Sequence, residues 1–307
     1  MSDILSHVDG GVMTLTFNRL DKKNSITESM YKALADGIEQ AQNDPAVRVL
    51  VFQGHETVFC AGNDIADFLN HPPSQMDAPV FRFLRAISTF PKPLIAAVAG
   101  PAVGIGTTML FHCDLVYAGD NAAFALPFVN LGLCPEAASS LLVPQLMGYH
   151  RAAEALLLGE PFMAEAALEV GVVNRVLPPT EVNDYAQAQA RKLAAKPLAS
   201  LIETKRLMKS PNAAQVQSQP TEIRHHKGGD VDLAHVTTAR GVPVIEQRMG
   251  EHVLHILLAI GAQLRVAQVE RTGDTFTSEH VLEWRFCKAM LFATHIAPPA
   301  LHEAATK

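Results

Sequence analysis

The 307-residue chain is poor in cysteine, in net positive charge and in long apolar runs, and each shortage removes a class of function. Its four cysteines, Cys60, Cys113, Cys134 and Cys287, are scattered and form no CxxC pair, so neither a zinc knuckle nor a disulfide framework is expected. The formal net charge of −6 supplies no basic field, so nucleic acid is not an expected partner. No apolar stretch reaches the roughly 18 residues of a membrane span, and Met1-Ser2-Asp3 opens no basic segment followed by an apolar core. No membrane partner is therefore expected, and the reading is a cytoplasmic protein. Ala305-Thr306-Lys307 is not the usual peroxisomal address either.

Two signatures are missing as well. The turn from Ala99 to Thr108 lacks the Gly-Lys-Ser/Thr of a phosphate-binding loop and does not read GxGxxG. His225, His226, His252 and His255 are not accompanied by HExxH, so no metal site is expected.

What remains is a chain 48% hydrophobic, enough to bury a substantial core. Residues 12–17 alternate and read as a strand ending in a polar turn, residues 18–24. Thr27 then suits an N-cap, and Met30, Leu34, Ile38 and Ala41 recur at helical spacing up to Asn43-Asp44-Pro45. Residues 47–52 and 94–99 are short and almost wholly apolar, as buried parallel strands are, and residues 114–118 make a third strand. This order predicts an α/β domain with its ligand at strand ends and helix starts.

Residues 69–78, with Pro72-Pro73, read as a loop beside whatever site Gly62 helps to form. Helical periodicity returns at 151–158, at 164–171 and over 182–208 with a break at Pro197. Beyond Pro211 the texture turns histidine-rich, and a boundary falls near residue 216. Residues 250–269 contain an amphipathic pattern.

Two glycine-containing turns carry the chemical interest. Phe59-Cys60-Ala61-Gly62-Asn63-Asp64-Ile65 lets backbone approach a ligand, or is simply a tight turn with Asp64 near a helix start. Gly100-Pro101-Ala102-Val103-Gly104-Ile105-Gly106 joins a strand to a helix whose first N–H groups can face a developing anion. Glu136, after Pro135, is either an acid–base group or a solvent-facing residue offsetting a helix dipole. Cys60, Cys113 and Cys134 read as small apolar packing groups, and Asp114 as a structural anchor.

Together the two turns resemble the oxyanion-hole signature of the crotonase (enoyl-CoA hydratase/isomerase) superfamily. Asn18-Arg19-Leu20-Asp21-Lys22-Lys23-Asn24-Ser25 and Cys113-Asp114-Leu115-Val116-Tyr117-Ala118 are similar to two further motifs of that family. The likeness runs from about Met13 to about Met208. It implies a crotonase-like ββα spiral core, with residues 1–216 as an acyl-CoA-binding catalytic domain and 217–307 as an atypical, helical C-terminal region of unknown fold. It also implies that the N–H groups of Asn63 and Ile105 hold the thioester oxygen.

In the family's hydratases two glutamates handle water, and their positions fall here on Thr108 and Phe128, which cannot serve. The stretch Leu126-Pro127-Phe128 through Cys134-Pro135-Glu136-Ala137-Ala138-Ser139-Ser140 looks like the peroxisomal type of Δ3,Δ2-enoyl-CoA isomerase, whose catalytic glutamate matches Glu136. The resemblance further implies coenzyme A contacts at Lys22, Lys23, Ala61, Asp64 and Ile65, and an acyl pocket of Phe68, Leu126, Phe128 and Leu133.

Coenzyme A enters as part of the substrate and no separate cofactor is expected. A homotrimer or hexamer is implied if the C-terminal region permits it. An enoyl-CoA hydratase or another crotonase reaction in which Glu136 acts alone, or a non-catalytic interaction module of the chromodomain-Y kind, stays open. Past about Gln217 nothing resembles the family's closing helices. That break is consistent with an appended segment or with a reading-frame change.

Overall fold

A computed structural model of the protein describes residues 2–70, 77–131 and 133–218. The alternating stretch becomes β2 (Val12–Phe17), paired antiparallel with β1 (Ile4–Asp9). Gly10 and Gly11 both have positive φ, +55° and +81°, which a two-residue hairpin turn of matching twist requires. β1 is a strand that periodicity does not predict. All but its first residue are half-exposed or exposed, so it carries little hydrophobic pattern, and the Gly10-Gly11 pair was its available signal.

α1 (Glu28–Asn43) follows, and Thr27 caps it as expected, its Oγ1 accepting the Met30 N–H at 3.3 Å. β3 (Val49–Gln53) and β4 (Leu94–Val98) continue the sheet in parallel. Between them lie α2 (Ile65–Asn70) and α3 (Pro79–Thr89). Of the loop expected over residues 69–78, Leu69 and Asn70 close α2 instead, and 71–76 lie outside the described residues.

After β4 the chain leaves the main sheet at once for β5 (Pro101–Val103), turns through α4 (Ile105–Thr108) and returns as β6 (Leu115–Gly119). It leaves again for β7 (Ala123–Ala125), and β8 (Phe162–Met163) completes a second, three-stranded sheet with β5 and β7. β9 (Arg175–Leu177) closes the main sheet, whose order is β1-β2-β3-β4-β6-β9. The result is a spiral in which β4 and then β6 of the large sheet hand the chain to the small one.

The remaining helices are α5 (Ser139–Met147), α6 (Tyr149–Ala153), α7 (Ala164–Glu169), α8 (Val182–Ala194) and α9 (Leu198–Lys209). The periodic run 151–158 is helical throughout, but residues 154–158 widen to a π-type turn. The break at Pro197 separates α8 from α9.

Alternation sorts the sheet's two faces. Val12, Val49, Val51, Ile95 and Tyr117 meet Val182, Ala186 and Ala190 of α8. Leu15, Phe17, Leu50, Phe52, Ala96 and Val98 belong instead to the large cluster that includes the buried faces of α1 and α3. α9 is tied down by Lys205, whose buried Nζ donates to Asp114 Oδ2 and to Lys92 O, each at 2.7 Å. Burial pushes the Lys205 amine down to about 8. Asp114 also accepts the Leu94 N–H, so it anchors structure as expected.

Among the described residues no helix is long and apolar enough to cross a membrane. The region assigned to 217–307, apart from its first two residues, lies outside the described residues, and so do the histidine-rich stretch and the pattern at 250–269.

Candidate active site

The two glycine turns are stitched together. Cys60 N–H donates to Pro101 O at 3.0 Å and Val103 N–H returns a bond to Cys60 O at 2.9 Å. Two glycines allow the approach: a Cβ on Gly62 (φ +93°) would sit 3.1 Å from Val103 O, and one on Gly106 would sit 2.6 Å from Cys60 O. On its other side the first turn is held by Ala61 N–H to Lys23 O, Ile26 N–H to Gly62 O and Asp64 N–H to Ile26 O.

In the second turn Gly104 N–H donates to Ala125 O, while the Thr107 and Thr108 N–H groups both donate to Gly104 O. The N–H groups of Asn63 and Ile105 take no part in this stitching, and among the described residues neither has an acceptor. Unused main-chain donors within a well-bonded fold are rare and mark a place for a ligand's acceptor.

The polar segment before α1 braces the first turn. Asn24, fully buried, donates to Val58 O and Phe59 O and accepts the Arg19 N–H. Arg19 in turn donates to Asp64 Oδ2 at 2.8 Å. Burial works to raise the Asp64 carboxyl, but the Asp67 N–H and Arg19 outweigh it and hold the group below its usual range. The first turn is thus fixed from three directions.

Beside it, Tyr31 of α1 donates its buried hydroxyl to Asn63 Oδ1 at 2.5 Å. Burial, then the charge of Glu136, push the Tyr31 phenol well above its ordinary value. Burial likewise pushes the Cys60 thiol up to about 12; the Gly62 N–H opposes this and Glu136 adds to it. A nucleophilic thiolate is excluded there.

Glu136 does not face solvent at a helix start. It precedes α5 by three residues, its Oε1 is buried, and it sits on a turn in which Ala137 and Ala138 both adopt left-handed φ, +54° and +55°. Such angles cost a non-glycine residue roughly 1 kcal/mol or more each, so the turn persists only because surrounding bonds impose it. Ser139 N–H and Oγ–H both donate to Glu136 O, at 2.9 and 2.5 Å. His112 Nε2 donates to Ala137 O at 2.8 Å; the acceptor is a carbonyl, so this nitrogen carries the proton. Burial pushes His112 down to about 4, which keeps it neutral.

An open cleft is lined by Ile26, Glu28, Tyr31, Asn63, Asp67, Phe68, Ala78, Pro79 and Val80. Phe68 is thus on the cleft wall. Leu126 and Phe128 are packed in the core, and Leu133 is 41% exposed; none of these three lines the cleft.

Lys22 and Lys23 are exposed, and Ile65 is 47% exposed at the start of α2. Ala61 has committed its N–H to Lys23, so its carbonyl is what it can offer a ligand. Thr108 is fully buried, its Oγ1 without a hydrogen-bond partner among the described residues, and Phe128 is 7% exposed. Cys60 is a buried packing group as expected; Cys134, by contrast, is exposed, because the chain before Pro135 runs at the surface.

Residues 7–228 match the model of the family described as enoyl-CoA hydratase/isomerase. The chain belongs to that family. Among its curated relatives, a 1,2-epoxyphenylacetyl-CoA isomerase of Escherichia coli K12 is 36% identical over 230 residues, covering 73% of this chain and 87% of the relative. Enoyl-CoA delta isomerase 2 of Rattus norvegicus is 38% identical over 212 residues, covering 67% of this chain but only 54% of the rat protein.

A crystal structure of an enoyl-CoA hydratase/isomerase from Pseudoalteromonas atlantica T6c superposes with a TM-score of 0.71 at 37% identity, covering 73% of this chain and 89% of that one. The spiral of two sheets is therefore the crotonase fold of this enoyl-CoA hydratase/isomerase family.

Tyr31 and His112 are the site residues that sequence reasoning missed. Tyr31 falls on the apolar stripe of α1 and reads as core, while its partner lies 32 residues away. His112 offered a signal: it is a lone histidine ending the apolar run Met109-Leu110-Phe111.

Proposed function

We propose that this protein moves the double bond of a 3-enoyl-CoA to the 2-position, with Glu136 as the single proton carrier. Glu136 takes the proton from C2, and the electron pair left there is shared with the adjoining thioester oxygen and, through the C3–C4 double bond, with C4. The N–H groups of Asn63 and Ile105 hold that oxygen in the dienolate. The same carboxyl then returns the proton to C4, so substrate and product have equal composition. Losing one such donor costs about 3 kcal/mol in comparable sites.

The observation that carries this reading is the pair of main-chain N–H groups, those of Asn63 and Ile105, left without an acceptor among the described residues on two turns that are bonded to each other. The Oε1 of Glu136 is buried, which suits a proton carrier kept from water. Water addition is disfavoured because Thr108 and Phe128 stand where hydratases carry acids, and neither exchanges protons near neutral pH.

Coenzyme A, brought as part of the substrate, would meet Lys22, Lys23, the Ala61 carbonyl, Asp64 and Ile65, with Phe68 against the acyl chain and Leu126, Phe128 and Leu133 around the base. A role in fatty acid metabolism, a cytoplasmic location and assembly as a homotrimer or hexamer complete the proposal. Exposed apolar side chains such as Leu157 (67%) and Met208 (66%) suit subunit contacts.

The test is to incubate purified protein separately with a 3-enoyl-CoA and a 2-enoyl-CoA. Conjugation of the first without hydration of the second is expected. Hydration would favour another crotonase reaction, and binding of coenzyme A without turnover would favour an interaction module. A second reading, isomerisation of a different acyl-CoA, is favoured by the E. coli relative, which this chain matches over most of its length and whose name specifies an epoxide substrate.

A further inference from the structure

We infer that His112 is a positioning residue: its hydrogen bond to Ala137 O fixes the Glu136 turn to the helical segment that begins with the Ile105 N–H. This rests on the proton-carrier reading of Glu136 above. Ile105–Thr108 and Met109–His112 run on without interruption, so one short rod carries an oxyanion donor at its start and His112 at its end. From that end Nε2 reaches 2.8 Å to Ala137 O, 25 residues further along the chain and next to Glu136.

The turn itself has reason to need an outside tether. Ala137 and Ala138 hold φ of +54° and +55°, a conformation to which alanine has no preference. The bonds from Ser139 to Glu136 O, and from Leu141 and Leu142 to Ala138 O, come from residues that move with the turn. The His112 bond comes from a different element and is 25 residues removed.

His112 is 3% exposed and Ala137 2%, so water does not compete for the bond. Its consequence is geometric: the separation between the carboxyl that moves the proton and the N–H that holds the oxygen is set through this rod and this bond. A displacement of about 1 Å at such a distance can cost on the order of 100-fold in rate.

The test compares His112→Leu and His112→Asn, in which no donor reaches Ala137 O, with His112→Gln, whose amide nitrogen can reach it. Each is assayed with a 3-enoyl-CoA, beside binding of a saturated acyl-CoA and thermal melting. The expected result is a kcat lower by about 10- to 100-fold in the first two, with KM and saturated acyl-CoA affinity within about threefold of the parent, and recovery of most of kcat in His112→Gln.

A folded His112→Leu or His112→Asn with parental kcat would overturn the inference. So would a His112→Gln as impaired as the other two, or failure of both donor-less variants to fold, which would make His112 a stability residue alone. Glu136→Gln is run in parallel. If it keeps its activity, the proton-carrier reading itself fails; if it is inactive while His112→Leu is not, only the present inference fails.

Discussion

In the proposed reaction the paired turns at 59–64 and 100–108 and the segment at 133–139 serve by opposite means. The turns offer main-chain N–H groups, and glycines at 62 and 106 let them lie against each other with Cys60 and Val103 exchanging bonds. The segment offers a single side chain, delivered by a left-handed alanine pair and held by Ser139 and His112. Where the backbone does the work, side chains are replaceable and an added Cβ is not. Where one carboxyl does it, the reverse holds.

The largest effect expected from this contrast is at Glu136. Glu136→Gln keeps the shape and removes the base, so turnover of a 3-enoyl-CoA should fall on the order of 100-fold or more, while binding of a saturated acyl-CoA stays near parental. Steady-state kinetics beside a titration would show it. Unchanged turnover would remove the single-side-chain half of the contrast.

Gly106→Ala comes next. Its Cβ would lie 2.6 Å from Cys60 O, a backbone atom that cannot rotate away. A destabilisation of about 1–3 kcal/mol is expected, read by urea denaturation, together with a loss of turnover as the two turns part. A fully stable and active variant would mean that the turns are less tightly joined than their hydrogen bonds indicate.

Acid should expose the other region. Burial holds folded His112 near 4 against an ordinary 6.5, with Lys205 and Lys209 adding their positive charge nearby. Between those two values the unfolded chain binds a proton that the folded chain does not. Stability from this source is therefore complete above about pH 6.5 and falls as the pH drops towards 4, by roughly 3 kcal/mol at about 1.4 kcal/mol per unit. Melting measured across that range should show the decline in the parent and a flatter line in His112→Gln.

The smallest effect is predicted where the backbone acts. Ile105→Val keeps the N–H and trims one buried methylene, so turnover should stay within about threefold and stability within about 1.5 kcal/mol. A large kinetic loss there would assign the Ile105 side chain a role that the main-chain picture denies it.

This contrast also explains what the sequence made legible. Glycines in a strand-to-helix turn, the Thr27 cap and the two-faced apolar strands are local signals, and the structure bears out the elements they predicted. The left-handed turn after Glu136 is written in alanines, which carry no such mark, and only the likeness to a family's segment drew notice to that carboxyl. Tyr31 and His112 bond to partners 32 and 25 residues away, beyond any local pattern. β1 was missed because its exposed faces leave no alternation to read.

The most direct test follows hydrogen itself: a 3-enoyl-CoA carrying deuterium at C2 is converted under single-turnover conditions and the product's C4 is examined. One carboxyl serving both carbons, partly shielded from water, predicts that a measurable share of the deuterium reappears at C4. A product whose new C4 hydrogen comes from solvent alone, formed equally well by Glu136→Gln, would contradict it.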